Sequence, residues 1–350
     1  MTGLCKCLKR YELTQDPSQE PIRIAVIDTG VYIDDTTLDC QFDSRLMECR
    51  SWLDAKAEEE GTLLSPGDDE DGHGTHTVSI ALQATRQTLC KIYAAQVFRT
   101  RQDKRKVATT ESTQVAIARV SFHGKRQFPL LLADVFKAIR YAVEIWRVDI
   151  ISMSFGFESS VPCIEKEIAN AYSKRKLMFA AASNFGGNTE TAWPARCSNV
   201  IPVYATDGLG NKYDRNPTPD DRGEHFAVLG TSLKGCWLPN ERGFAQTKHR
   251  SGTSGATPIA AGIAGAVISL MRKEKDNYLS RRDGSSREGE SSSYNRCLAA
   301  METPSGMRAV FRLMSKGKRD GYDYVAPCSI LDQTDTWDAV HVIYKRLASL

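Results

Sequence analysis

The sequence predicts an α/β fold around a mainly parallel sheet, on three observations. Short runs of β-branched and small apolar residues recur along the chain, and segments with helical apolar spacing lie between them. Several of these runs stop abruptly on polar, turn-forming residues, as buried strands do when they leave a sheet. The chain has 350 residues, enough to bury the core of one large domain or two small ones.

The elements follow in order. Residues 1–20 are polar, carry Pro17 and precede Pro21, so a tail is expected there and the folded domain over 21–350. Residues 22–27 (IRIAVI) predict a buried parallel strand that stops at Asp28, Thr29 and Gly30. Residues 54–71 are acidic and glycine-bearing, which predicts a surface loop, and 72–84 reads as a helix. Residues 93–98 (YAAQVF) predict a second strand. The basic run 99–106 (RTRQDKRK) reads as a solvated insertion, with a cleavage or docking site as its alternative. Residues 129–146 place Leu131, Leu132, Val135, Ile139, Ala142, Val143 and Trp146 at the spacing of one helical face. A strand over 149–153 (DIISM), a helix over 164–174, and strands over 177–182 (LMFAAA) and 200–205 come next. Residues 258–271 (PIAAGIAGAVISLM) form a small-residue apolar stretch, too short to span a bilayer, which predicts a buried central helix. Residues 272–293 are charged and serine-rich, which predicts a disordered or mobile insertion. A last helix is expected over 336–348, and no internal repeat is present.

Composition narrows the function classes. Apolar residues make up 41% and charged residues 25%, an ordinary globular balance. A net charge of +3 gives no reason to expect nucleic acid or a membrane surface as the main partner. The first residues lack the apolar stretch of a secretory signal. Ten cysteines show no C-x-x-C pair, so buried reduced thiols are expected, with a few disulfides as the alternative. That usage favours an intracellular location without fixing one.

Amide hydrolysis at neutral pH needs an activated nucleophile, a base, a carboxylate that orients the base, and donors for the oxyanion. Asp28, in Ala25-Val26-Ile27-Asp28-Thr29-Gly30, sits where a buried strand ends, the edge at which open α/β sheets place ligands. Taken alone, an aspartate there is more commonly a turn residue. His73, in Asp71-Gly72-His73-Gly74-Thr75-His76, has glycines on both sides that leave room around its ring. His76 lies one turn further on, but the glutamate of a H-E-x-x-H metal motif is missing and no metal is expected. Ser254, in Ser251-Gly252-Thr253-Ser254-Gly255-Ala256-Thr257-Pro258, stands before the small-residue helix, with Pro258 compatible with its first turn. Free amides and the helix dipole there favour a negative oxygen near Ser254.

Together these segments resemble the subtilisin-like serine peptidases, the subtilases. The contexts AVIDTG, DGHGTHTVSIAL and SGTSGATPIAAGIAG match the family's three signatures in the family's order, with spacings of 45 and 181 residues. The resemblance covers roughly residues 21–272. It implies a subtilisin-like three-layer fold and a serine endopeptidase with Asp28, His73 and Ser254 as its triad. It implies that Asn184, in Ala181-Ala182-Ser183-Asn184, joins the Ser254 amide in the oxyanion hole. Loss of one such donor costs about a hundred- to a thousand-fold in rate, a magnitude established on subtilisin itself. Residues 151–156 resemble the strand whose exposed edge binds the peptide backbone, which implies substrate contacts at Ser152, Ser154, Phe155, Gly156, Ala182 and Ser183. Phe155 and Phe185 suggest a hydrophobic lining. The implied partner is a protein or peptide, with no nucleic acid and no membrane span. No cofactor is expected; many relatives bind calcium, but no calcium loop can be assigned.

Several positions depart from the family pattern. Gly255 stands where methionine is usual, which removes a side chain and loosens the turn. Ser183 replaces the glycine before the asparagine, which asks for a tolerable backbone angle. Residues 208–226 are more charged than the corresponding region. The first strand begins within about 25 residues of Met1, too few for a folding propeptide. The expectation is therefore a module of a larger protein, or another restraint on activity. A weak or inactive scaffold for peptide binding is the competing reading, and general esterase activity is a third.

Overall fold

The computed structural model describes residues 2–9, 11, 13, 19–32, 45–53, 60–64, 68–100, 128–220, 223–281, 287–332 and 335–350. The chain runs α1 (Thr2–Lys9), β1 (Arg23–Asp28), β2 (Leu46–Ser51), β3 (Thr62–Leu63), α2 (His73–Ala84), β4 (Lys91–Gln96), α3 (Phe128–Glu144), β5 (Ile150–Met153), α4 (Pro162–Ser173), β6 (Leu177–Ala181) and β7 (Ile201–Thr206). It continues β8 (Phe226–Leu229), β9 (Leu233–Trp237), β10 (Gln246–Arg250), α5 (Thr253–Lys273), α6 (Lys275–Ser280), α7 (Arg287–Met301), α8 (Pro304–Met314), β11 (Ser315–Arg319), β12 (Tyr322–Val325), α9 (Cys328–Leu331) and α10 (Thr336–Ala348).

Ten strands form one sheet in the order β11-β12-β8-β7-β6-β5-β1-β4-β2-β3. All neighbours pair in parallel except at the two edges, where β11 meets β12 and β2 meets β3 antiparallel. Strand residues alternate between two cores. Ile24 and Val26 face the core that holds α2 and α5, while Ala25 and Ile27 face the core that holds α3 and α4. The result is the three-layer α/β architecture expected from the sequence.

The order also positions the site. β1 pairs with β4 on one side and β5 on the other, and the chain winds outward from it in both directions. Its carboxyl end is therefore a topological switch point, where a crevice opens above the sheet. Asp28 is the last residue of β1.

Helix α5 begins at Thr253, five residues before the expected start, so Pro258 lies inside it rather than in its first turn. It is long and apolar enough to cross a membrane by length and composition, and 89% of that stretch is buried inside the protein. No other helix among the described residues passes that test.

Other expectations need correction. The expected tail begins with α1, whose Cys7 and Leu8 are buried in the core. Tyr11 follows, and its hydroxyl donates to the Leu331 carbonyl at 2.7 Å. The 272–293 stretch is mostly helical, in α5, α6 and α7, with only 282–286 outside the described residues. Its polar composition hides a sparse aromatic anchor: Tyr278 stacks on Trp337 at 5.6 Å, and just beyond the stretch Tyr294 stacks on Tyr344 at 5.7 Å. The acidic 54–71 stretch is not all surface, since Asp69 is buried. Of the basic run at 99–106, residues 101–106 lie outside the described residues. Cys49, Cys90, Cys163, Cys197, Cys297 and Cys328 are thiols outside any disulfide, and burial pushes Cys49 and Cys90 up to about 12.

Candidate active site

The Asp28 wall is built from buried polar groups. His73 opens α2 and turns its Nδ1 onto both Asp28 oxygens, at 2.8 and 2.9 Å. The carboxylate also accepts the Thr29 amide at 2.7 Å and the Thr77 hydroxyl at 3.3 Å. An ionised acceptor beside Nδ1 requires the proton on that nitrogen, which leaves Nε2 as the basic atom of a neutral ring. Both residues are buried.

Asp69 fixes the frame around this pair. Its carboxylate accepts from the Thr29 hydroxyl, the Asp71, Gly72 and Thr75 amides and the Thr75 hydroxyl, at 2.6–3.1 Å. Thr29 in turn accepts the Gly74 amide at 2.8 Å. Asp69 thus ties the end of β1 to the start of α2 and supplies a negative group to a helix whose first turn has none. Sequence reasoning missed it. The available signal was an acid just upstream of a helix start. Gly74 must be glycine here, because a Cβ would lie 2.0 Å from the Gly30 carbonyl oxygen.

The opposite wall carries Ser254 in the first turn of α5. Gly252 precedes that helix at φ 145°, a backbone angle that glycine alone adopts freely. Asn184 braces the turn: its Oδ1 accepts the Thr253 amide at 2.9 Å and the Thr253 hydroxyl at 3.3 Å. Because an amide N–H must face an oxygen, this fixes which end of the Asn184 side-chain amide is Oδ1 and leaves Nδ2 as its donor. Ser183 is not among the residues with positive φ, so the missing glycine costs no strain. Its hydroxyl accepts the Phe185 amide at 3.2 Å and shapes the turn.

Pro258 inside α5 has a local consequence. It has no N–H, so the Ser254 carbonyl four residues earlier loses its helical donor. The Ser154 hydroxyl takes that place and donates to the Ser254 oxygen at 2.9 Å. At Gly255 a Cβ would lie 2.7 Å from Leu233 Cδ1, so the Leu233 side chain packs against the turn that the sequence suggested would be loose.

His73, Ser254 and Asn184 line one cleft of about 230 Å³ together with Ser154, Phe155, Gly156 and Ser183. The Asp28–His73 pair is joined by hydrogen bonds; none between the Ser254 hydroxyl and the ring is among those found in the described residues. Ser152 and Ala182 do not line the cleft. Ser152 is fully buried inside β5, paired with Val26 and Phe179, and the Ala182 backbone is spent on Val203 and Ala192. Strand β5 is central rather than an edge, so only residues 154–156 reach the cleft from that segment. Phe155 is buried against Phe98 and Phe157, at 5.3 and 5.5 Å, whereas Phe185 is exposed beside Asn184.

His76 belongs to the scaffold. Its Nε2 donates to the Leu233 carbonyl at 3.0 Å, which ties α2 to β9. Burial lowers it to about 4, partly offset by that hydrogen bond. Among the described residues, no group of three or more His, Cys, Asp or Glu is placed to hold a metal ion.

Residues 20–283 match the model of the subtilase family. The chain belongs to the subtilases. Halolysin of Haloferax mediterranei is 26% identical to this subtilase over 263 residues, 74% of this chain and 44% of the relative. Thermitase of Thermoactinomyces vulgaris is 31% identical over 138 residues, 39% of this chain and 46% of the relative. The chain thus spans less than half the length of these relatives. The solved prenylagaramide maturation protease PagA shares its fold, with a TM-score of 0.56, 21% identity, and coverage of 98% of this chain and 99% of that one.

Proposed function

We propose that this subtilase is a serine endopeptidase that cleaves peptide bonds through an acyl-enzyme. The observation that carries the proposal is the Asp28–His73 pair, whose ring lines the same cleft as a serine at a helix start. His73 Nε2 removes the Ser254 proton as Oγ attacks the scissile carbonyl, and Asp28 stabilises the imidazolium that forms. The oxyanion is received by Asn184 Nδ2 and the Ser254 amide. His73 then protonates the leaving amine, and water repeats the cycle on the acyl-enzyme. The cleft's residues 154–156 offer backbone for an extended peptide, which favours peptides over simple esters.

A fluorophosphonate probe tests this. An adduct mapped by mass spectrometry to Ser254, and absent from Ser254→Ala, is the expected result. A folded, unlabelled protein would leave a peptide-binding scaffold without turnover as the better account.

A further inference from the structure

Resting on the endopeptidase reading, we propose that Tyr204 is a positioning residue for specificity: with Thr191 and His225 it fixes the floor of the cleft at Ala192, and that floor decides which side chain is accepted just before the scissile bond. In that reading the acyl carbonyl oxygen sits at Asn184, so the side chain before the cut enters between residues 154–156 and 181–183, where Ala192 also lines the cleft. A Cβ on Gly156 would lie 2.5 Å from the Ala192 methyl, so the two segments meet there and the space ends. A space closed by so tight a contact sorts side chains by length only while the closing segment stays in place.

Residues 191–193 are held at three points. The Ala192 amide donates to the Ala182 carbonyl at 2.6 Å, and Trp193 exchanges two backbone hydrogen bonds with Phe157, at 2.6 and 2.9 Å. Thr191 supplies the third point, where the mostly exposed stretch 185–190 rejoins the fold. Its hydroxyl meets that of Tyr204, a β7 residue, at 2.5 Å, and the Tyr204 hydroxyl meets His225 Nδ1 at 3.0 Å. His225 Nε2 donates to the Asp220 carbonyl at 2.9 Å, so in the neutral ring Nδ1 is the acceptor. Tyr204 therefore donates to His225, and its oxygen accepts from Thr191. Burial holds the Tyr204 hydroxyl above the usual tyrosine range, so it keeps its proton for that bond. Tyr204 and His225 are both buried, and the Tyr204 ring packs edge-on against His225 and tilted against Tyr322, each at 5.2 Å. The hydroxyl is thus fixed in place, and Thr191 is fixed with it. Tyr204 is not among the residues lining the cleft, so it acts on a peptide through Thr191 and Ala192.

Three peptides that differ only as Ala, Leu or Phe before the cut are compared by kcat/KM on the full chain, with the cut site read by mass spectrometry. The wild type should spread the three. Tyr204→Phe keeps the ring and removes the hydroxyl, and it should narrow the spread about three- to ten-fold, mainly through KM. Should that variant fail to fold, Thr191→Val breaks the same chain from its other end and should narrow the spread alike. Thr191→Ser keeps the hydroxyl and should hold the wild-type spread; a loss equal to that in Thr191→Val would assign the floor to methyl packing and overturn the inference. A wild type that treats the three peptides alike, or a spread unchanged in Tyr204→Phe, also overturns it, and the endopeptidase reading stands as long as the fluorophosphonate probe labels Ser254. If the chain cuts nothing, Ser254→Ala with and without Tyr204→Phe is titrated with fluorescein-labelled forms of the same peptides. A spread of Kd values that narrows with Tyr204→Phe supports the floor without turnover; an unchanged spread overturns it.

Discussion

The wall that carries Asp28 and His73 is held by polar groups, with five hydrogen bonds converging on the Asp69 carboxylate alone. The layer formed by α6, α7 and α10 is held by rings: Tyr278 packs against Trp337, Tyr294 and Tyr344, with centroids 5.2–5.6 Å apart. Both regions are buried, but they respond differently to change. A buried carboxylate with fixed partners has one geometry, and loss of a partner strands a charge. Stacked rings exchange dispersion and area, which similar side chains can partly replace. The proposed chemistry thus falls in the region that cannot relax, and the ring-packed layer is the one where change should act on stability alone.

The sharpest separation is expected from Tyr278→Ala. Loss of a fully enclosed ring should cost about 3–5 kcal/mol of stability, read as a lower Tm. Turnover per folded molecule should stay at the wild-type level. A fall in kcat at temperatures where the variant is fully folded would show that the two regions are coupled.

Asn184→Ala makes the complementary cut. Its kcat should fall by about a hundred- to a thousand-fold, with KM moving much less. A loss confined to KM would mean that Asn184 binds ground-state peptide instead.

The two histidines of α2 divide the same way. His76 is neutral in the fold, with a folded value of about 4 against 6.5 in the unfolded chain. Its contribution is fully present above pH 6.5 and is lost as pH falls toward 4, where the unfolded chain takes up the proton first. Across that window the loss is roughly 3 kcal/mol. Denaturant titrations at pH 7 and pH 4.5 should show a smaller difference in His76→Gln than in the wild type. An equal difference would remove His76 from the acid response.

The smallest effect is expected from Ser154→Ala. It leaves the Ser254 carbonyl without the donor that replaces the missing Pro258 amide, a penalty of about 1–3 kcal/mol. A kcat lowered about ten-fold, with partial recovery in Ser154→Thr, would mark a positioning role. An unchanged kcat would show that the turn needs no such brace.

Much of the site was legible because Asp28, His73 and Ser254 sit in local contexts that announce a strand end, a glycine-flanked helix start and a serine before a small-residue helix. Asp69 was not, because three of its five donors are main-chain amides that every sequence possesses and the other two are ordinary threonine hydroxyls. The resemblance to a strand with an exposed edge implied contacts at Ser152 and Ala182, which β5, central in its sheet, does not offer. The 272–293 stretch misled by composition: its many charges describe the solvent side of α6 and α7, while the buried side is reported by Tyr278 within it and by Tyr294, Cys297 and Met301 just beyond it.

The most direct test of the central claim is the kcat of His73→Ala, Ser254→Ala and the double variant on one peptide substrate. If Ser254 hands its proton to His73, each single change should cost as much as both together, because either one abolishes the same step. Losses that multiply in the double variant would mean that the two residues act independently, and the hand-over of the proton would be ruled out.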